Sequence, residues 1–210
     1  MILTKYEHAC FTLEKDGKLI VVDPGVFTHD LGSPENVVAI IVTHEHPDHF
    51  DPTALGALVA HNPDAIILAH ESITTKLGDT LPNKSVASGD ELTITPFDLK
   101  FVGGEHASIT PDMPTLANLG LIVDEKLYYP GDSFYVPEDR AEVLALPAAA
   151  PWCKISEVMD FVSKIKPQLA FPTHDAILSD TGKQLTDTML APVVESAGGT
   201  YQRINVPTEI

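Results

Sequence analysis

The chain has 210 residues, 44% of them apolar, enough to bury a substantial core within the size range of one large domain. Its 13 Lys and Arg stand against 30 Asp and Glu, a formal charge of −17 with neutral histidines, and no basic run offers a phosphate track, so nucleic acid and anionic membrane surfaces are disfavoured partners. No apolar run approaches a membrane span, the start MILTKYEHACFTLEKDGK carries charge too early for a signal peptide, and Cys10 and Cys153 are too far apart to form a metal-binding pair, so the expectation is a cytoplasmic protein with a small-molecule substrate.

From the N-terminus, ILTKY, CFTLE and LIVVD read as short strands, with His8 just before the second and Asp23 closing the third. The run VVAIIV is β-branched and apolar and reads as a buried strand. It leads into Thr43 to Phe50, T-H-E-H-P-D-H-F, which packs four candidate metal ligands into six positions as H-x-H-x-D-H. Side chains repeat every two residues in extended chain, so His44 and His46 point to one side and can share one ion. Pro47 fixes its own φ and keeps His46 out of the helical region, so the chain turns and Asp48 and His49 converge on a second ion. Asp51 and Pro52 read as the N-cap and first residue of a helix continuing through TALGALVA. The helical zinc motif H-E-x-x-H does not fit, because Asp48 occupies the position four after His44 and Pro47 would interrupt the helix.

Beyond the octet, AIILA, LTITP, LKFVG, LGLIV and LYYP read as strands, and ISEVMDFVSKI and GKQLTDTMLAPVVESAG as helices, a mixed α and β chain suited to two sheets covered by helices. GGEHASI offers His106 after a strand, YYPGDS offers Asp132 after a tight turn at Gly131, and LAFPTHD offers His174 where Pro172 is expected to end a strand. DSFYVPEDRAE reads as a solvated loop and helix start, and Trp152 as a core residue more than a pocket wall. His29, His61 and His70 read as surface or loop residues, and Asp175 as a hydrogen-bond partner or helix cap. No internal repeat or low-complexity tract is present.

The octet resembles the signature of the metallo-β-lactamase-fold hydrolases. That family places a third histidine on the first metal, then an aspartate bridging both metals, then a last histidine on the second, each at a strand end; His106, Asp132 and His174 follow in that order. The resemblance implies His44, His46, Asp48, His49, His106, Asp132 and His174 as ligands. It also implies an α+β fold, an αββα sandwich of two mixed sheets flanked by helices, spanning residues 1–210 as one domain. LIVVDPG resembles the family's strand-to-loop aspartate, which gives Asp23 a supporting role. The segment YEHACFTLEKDGKLIVVDPG resembles small prokaryotic hydrolases related to ascorbate-6-phosphate lactonase, in which a histidine matching His8 precedes the second strand. For His8 a role behind the ligands or on the substrate stands beside a plain hydrogen bond within the sheet. The β-lactamases of this fold carry a cysteine in the second metal site, and neither Cys10 nor Cys153 falls in the series; the di-iron oxygen-reducing members carry glutamate where this chain has His46. Antibiotic hydrolysis and redox chemistry are therefore disfavoured.

Imidazole and carboxylate ligands without thiolate suit Zn²⁺, and also Mn²⁺, Fe²⁺ or Ni²⁺. Two divalent ions at roughly 3.5–4 Å can share a hydroxide, because bound water has its pKa lowered towards about 7. In that reading the hydroxide attacks a polarised carbonyl or phosphoryl centre, Asp132 bridges the ions, and Asp48 both ligates and relays a proton. The expected activity is hydrolysis of a small ester, lactone or related carbonyl compound; a phosphodiesterase or nuclease with the same dinuclear site is the alternative. A non-enzymatic metal-binding module would need a degenerate ligand series, and all seven positions are filled.

Overall fold

Alternation along each apolar run decides which layer a strand's side chains enter. The computed structural model describes residues 1–210. Along the chain lie β1 (Ile2–Lys5), β2 (Phe11–Lys15), β3 (Lys18–Val22), β4 (Val37–Val42), α1 (Pro52–His61), β5 (Ile66–Ala69), α2 (Glu71–Leu77) and β6 (Asn83–Ser85). There follow β7 (Glu91–Ile94), β8 (Phe97–Glu105), β9 (Ala117–Val123), β10 (Leu127–Tyr129), β11 (Val143–Pro147), α3 (Ile155–Ile165), β12 (Leu169–Thr173), α4 (Asp180–Ser196), β13 (Thr200–Tyr201) and β14 (Thr208–Glu209). One sheet has the order β14-β1-β2-β3-β4-β5-β6 and the other β13-β12-β11-β10-β9-β8-β7, so each half of the chain builds one sheet and β14 returns to the first. Both sheets are mixed: β1 to β3 are antiparallel and β3 to β6 parallel, while β7 to β10 are antiparallel and β10 to β13 parallel.

On β4, Ala39 and Ile41 enter the core between the sheets, whereas Ile40 and Val42 pack outward with Leu55 and Leu58 of α1 and Ile73 and Leu77 of α2. The second sheet repeats the scheme. Leu119, Leu121 and Phe171 face the first sheet; Ile122 and Ala170 face Val158, Phe161, Leu190 and Val194 of α3 and α4. Two helix layers therefore cover two sheets, the αββα sandwich. β3, β4 and β5 run the same way, as do β8, β10 and β12, so their C-terminal ends meet along one edge. There the Leu119 N–H donates to Thr43 O at 2.9 Å and the His174 N–H to His8 O at 3.0 Å, joining the sheets across that edge.

Several elements differ from the expectation. β11 lies in VLALP, where the neighbouring Ala and Pro cluster hides the strand pattern, and α2 is a short helix capped by His70, whose side chain accepts from the Ser72 N–H. No helix starts in DSFYVPEDRAE; Lys100 pairs with Asp139 at 2.8 Å and draws this stretch along β8 as a loop. Pro172 does not end its strand, because β13 pairs only with Leu169 and Ala170 and leaves Pro172 without a neighbour that needs its missing N–H. No helix is long and apolar enough to cross a membrane.

Asp51 caps α1 as anticipated, its side chain accepting from the Thr53 N–H at 2.9 Å. Asp51→Ala should lower the unfolding free energy by about 1 kcal/mol, as loss of an N-cap usually does, measured by urea denaturation. An unchanged midpoint would mean that the cap is redundant with Pro52.

Candidate metal centre

Asp23 ends β3 with φ of 47° and is fully buried. Its carboxylate accepts from the Thr43 N–H at 2.8 Å, the Thr43 hydroxyl at 2.7 Å, His49 Nδ1 at 2.7 Å and the Tyr129 hydroxyl at 2.9 Å. The octet is thus tied down at both ends. The segment after Asp23 lies directly against it: the Val26 N–H donates to Pro47 O at 2.8 Å, and a Cβ on Gly25 would come within 2.0 Å of the Asp48 carbonyl carbon. Only glycine allows that approach.

Two groups of side chains converge at the edge. His44, His46, His106 and Asp132 form one, and His8, Asp48, His49 and His174 the other, the donor atoms of each lying within 4.8 Å of one another. Asp132 touches both: Oδ2 is 3.3 Å from His106 Nε2 and 3.1 Å from His174 Nε2, and Oδ1 is 3.2 Å from His49 Nε2. The turn that presents it needs Gly131, at φ of 61°, since a Cβ there would lie 2.3 Å from Asn118 Oδ1. Asn118 Oδ1 in turn accepts from the Asp132 N–H at 2.9 Å.

Outward hydrogen bonds set the imidazole tautomers. The Nδ1–H of His44 donates to Thr43 Oγ1 at 3.1 Å, that of His49 to Asp23, that of His106 to Ala107 O at 2.6 Å and that of His174 to Ala149 O at 2.6 Å. With Nδ1–H engaged outward, each ring turns Nε2 inward, where the neutral form offers the lone pair a metal ligand needs and the protonated form must first release a proton. His8 is turned the other way, its Nε2–H donating to Asp48 Oδ2 at 2.8 Å. It orients a carboxylate, and the alternative of a histidine bonded within the sheet is not what the structure has.

The fit to divalent cations rests on atoms left without partners. Nε2 of His49 and His106 and Oδ1 of Asp132 are buried and, although 3.2–3.3 Å from one another's carboxylate or ring, make no aligned hydrogen bond, which leaves them open to a cation. They point into the two groups, and the donors are imidazole and carboxylate alone.

Ionisation follows the same geometry. Burial would raise Asp132, but His49 and the His106 and His174 rings outweigh it and hold the carboxyl well below its usual range. Burial would lower His49 and His174, yet Asp132 and Asp23 hold His49 well above its usual value, and Asp132 and Asp48 push His174 up to about 9. His44 and His46 are lowered, by burial first and then by the neighbouring His49 and His106 respectively.

Sequence reasoning missed two contributors and left a third between core and pocket wall. Trp152, expected in the core, is buried but also at the site, its Nε1–H donating to Asp132 Oδ2 at 2.9 Å. Tyr129 and Asn118 were passed over; a lone asparagine inside the apolar run ANLGLIV was the available signal. His29, His61 and His70 lie outside both groups. Asp175 pairs with Arg203, while Ser179 caps α4.

Comparison with known proteins agrees with this geometry. The family described as beta-lactamase superfamily domain matches residues 2–174. The Mycobacterium tuberculosis protein Rv0786c is 39% identical over 184 residues, 85% of this chain and 86% of its own. A candidate metal-dependent hydrolase from Parabacteroides distasonis has a similar structure, with a TM-score of 0.78 and 25% identity over 97% of this chain and 92% of that one. Igni18, described as a novel metallo hydrolase from Ignicoccus hospitalis, shares the fold with a TM-score of 0.76 and 21% identity, over 100% and 98% of the two chains.

The metal-free protein should take up two divalent cations per chain and release protons as it does so near pH 7.5, because His49 and His174 hold protons there that a metal must displace. Elemental analysis and pH-stat titration measure both. Uptake of no more than one equivalent after reconstitution with Zn²⁺, Mn²⁺ and Fe²⁺ in turn would overturn the two-cation assignment.

Proposed function

The chain belongs to the β-lactamase superfamily domain family and is a metal-dependent hydrolase of the metallo-β-lactamase fold; on that premise we propose that it is a dinuclear enzyme acting on a small ester, lactone or related carbonyl compound. The observation that carries this reading is Asp132, one buried carboxylate touching both groups of inward-facing histidines. His44, His46 and His106 would hold one cation and Asp48, His49 and His174 the other. Zn²⁺ is the proposed metal, with Mn²⁺, Fe²⁺ or Ni²⁺ compatible with the same donors; when bound, the pair supplies Lewis acidity and a water acidic enough to ionise near neutral pH.

The protein's own part is positioning and proton transfer. Asp132 holds the two groups in register. Asp48 is only partly buried, and although burial would raise its pKa, His174 and His8 hold it well below the usual carboxylate range, so it stands ionised at the site. In the proposed reaction a water oxygen adds to the carbonyl carbon, the bond from that carbon to the leaving oxygen breaks, and the proton lost by water passes by way of Asp48 to the leaving oxygen. His8 keeps Asp48 turned towards the reacting atoms.

A lactone is among the proposed substrates because of the likeness of the N-terminal segment to the ascorbate-6-phosphate lactonase group. The formal charge of −17 supports a small molecule over nucleic acid as partner. The proposed compartment is the cytoplasm, supported by two free cysteines, both with thiols pushed up to about 12 by burial. Turnover of carboxylic esters and lactones against bis-p-nitrophenyl phosphate tests the reading; preference for the phosphodiester would shift it to a phosphodiesterase.

Asp132→Ala should retain its far-UV circular dichroism while kcat/KM falls by about a hundredfold or more, since the groups it joins lose their common anchor. Near wild-type turnover would show that Asp132 is not the bridge. His8→Ala should keep both cations and lose about tenfold to a hundredfold in kcat/KM, the usual range for a residue that orients a ligand. Loss of one cation would make His8 a ligand, and unchanged activity with a lower Tm would leave it a packing residue.

A further inference from the structure

Beside the metal-site residues opens a cavity of about 620 Å³, within the range that encloses a small organic ligand. His106 belongs both to its lining and to the first histidine group. Three aromatic rings wall it. Trp152 meets Phe134 edge-on with centroids 5.1 Å apart and stands 6.0 Å from the His106 ring, while the Tyr135 ring packs over the bare backbone of Gly103.

The side chains of this lining offer an anion no positive charge. Lys and Arg are absent from it, and its charged members are Glu105 and Glu157. Of its three hydroxyls, that of Ser133 donates to Pro130 O at 3.1 Å and that of Ser108 to Thr110 O at 2.5 Å, leaving the Tyr135 hydroxyl to meet a polar group of the ligand, and the Trp152 N–H is committed to Asp132. A second cavity, about 340 Å³, does contain Lys5, Lys183 and Arg203, but among the histidine and aspartate groups it borders His8 alone. Lys5 there donates to the Tyr6 and His8 carbonyls and Arg203 to Asp175 and Asp187, which leaves Lys183 as the cation without a partner in that cavity.

Resting on the hydrolase reading above, we propose that the cavity walled by Trp152, Phe134 and Tyr135 is the substrate pocket, and that it takes an uncharged carbonyl compound carrying a flat apolar group beside the scissile carbonyl. Apolar burial against the rings holds that group, and the two glutamates repel a carboxylate or phosphate placed there. A phosphorylated lactone is thereby excluded from the preferred substrates.

Trp152 is the only tryptophan, so its fluorescence reports occupancy of this cavity without turnover. The probe is phenylacetone, an uncharged ketone that cannot be hydrolysed, titrated into the metal-loaded protein beside acetone and the para-carboxylate of phenylacetone. Saturable change with phenylacetone, at least about tenfold tighter than with either comparison compound, is the expected result, and Tyr135→Ala should weaken it about fivefold. Ethyl phenylacetate should likewise exceed ethyl acetate in kcat/KM by about tenfold. Equal affinity for acetone or for the carboxylate overturns the pocket assignment. Hydrolysis of both esters without any preference also overturns it while sparing the hydrolase reading; saturable phenylacetone binding with no ester or lactone turned over supports the pocket and refutes the hydrolase reading instead.

Discussion

The Asp23 carboxylate is the interaction on which the metal-site edge depends. Four donors meet it where water does not reach: the amide and hydroxyl of Thr43, the His49 ring and the Tyr129 hydroxyl. Through Thr43 it governs His44, whose Nδ1–H donates to the Thr43 oxygen, and it governs His49 directly. One residue outside the ligand series therefore sets a histidine in each group. Tyr129 comes from the opposite sheet, so the same carboxylate also fastens the two sheets together at the edge where the site is built. Hydrogen bonds to a charged partner contribute about 1.5–3 kcal/mol each, and removing the acceptor would leave several buried donors unmatched at once.

Strain is gathered at this same place. Asp23, His8 and His174 all have φ between 47° and 59°, a region L-residues rarely occupy. At His8 and His174 the backbone is locked by the bond from the His174 N–H to His8 O, and Lys5 adds a donor to that same carbonyl. Such conformations persist where surrounding contacts over-determine them. The well-packed layers on both faces of each sheet supply the stability that this edge lacks.

The convergence of the seven candidate ligands was legible in the sequence because the signal is local: the octet and three strand-end residues carry it in residue type and order. The structure brings all seven into the two groups, and Asp132 contacts both, but order alone did not say which nitrogen of each ring faces inward; outward partners such as Ala107 O and Ala149 O are backbone atoms with no signature of their own. The longer strands were legible from their alternation. β11 was hidden by a Pro and Ala cluster, and β13 and β14 are two-residue pairings that depend on a partner strand and not on composition. Trp152 was legible only as core or pocket wall, since burial and a site contact are compatible in an amphipathic ring whose N–H alone is polar.

The acidity of the chain and the character of its cavity are consistent with one another. An enzyme that drew an anion towards two cations would gain from a basic rim, because a field of matching sign raises the rate of encounter. This protein instead carries an excess of carboxylates overall and places Glu105 and Glu157 in the cavity beside His106, with aromatic rings for the remainder of the wall. Positive charge would then come from cations bound by the two histidine and aspartate groups. Attraction limited to the reacting atoms, with apolar contact elsewhere, selects by the shape and polarity of the carbonyl compound and not by its charge, and it places the selective surface on Trp152, the residue whose N–H also donates to Asp132, the carboxylate that contacts both histidine groups.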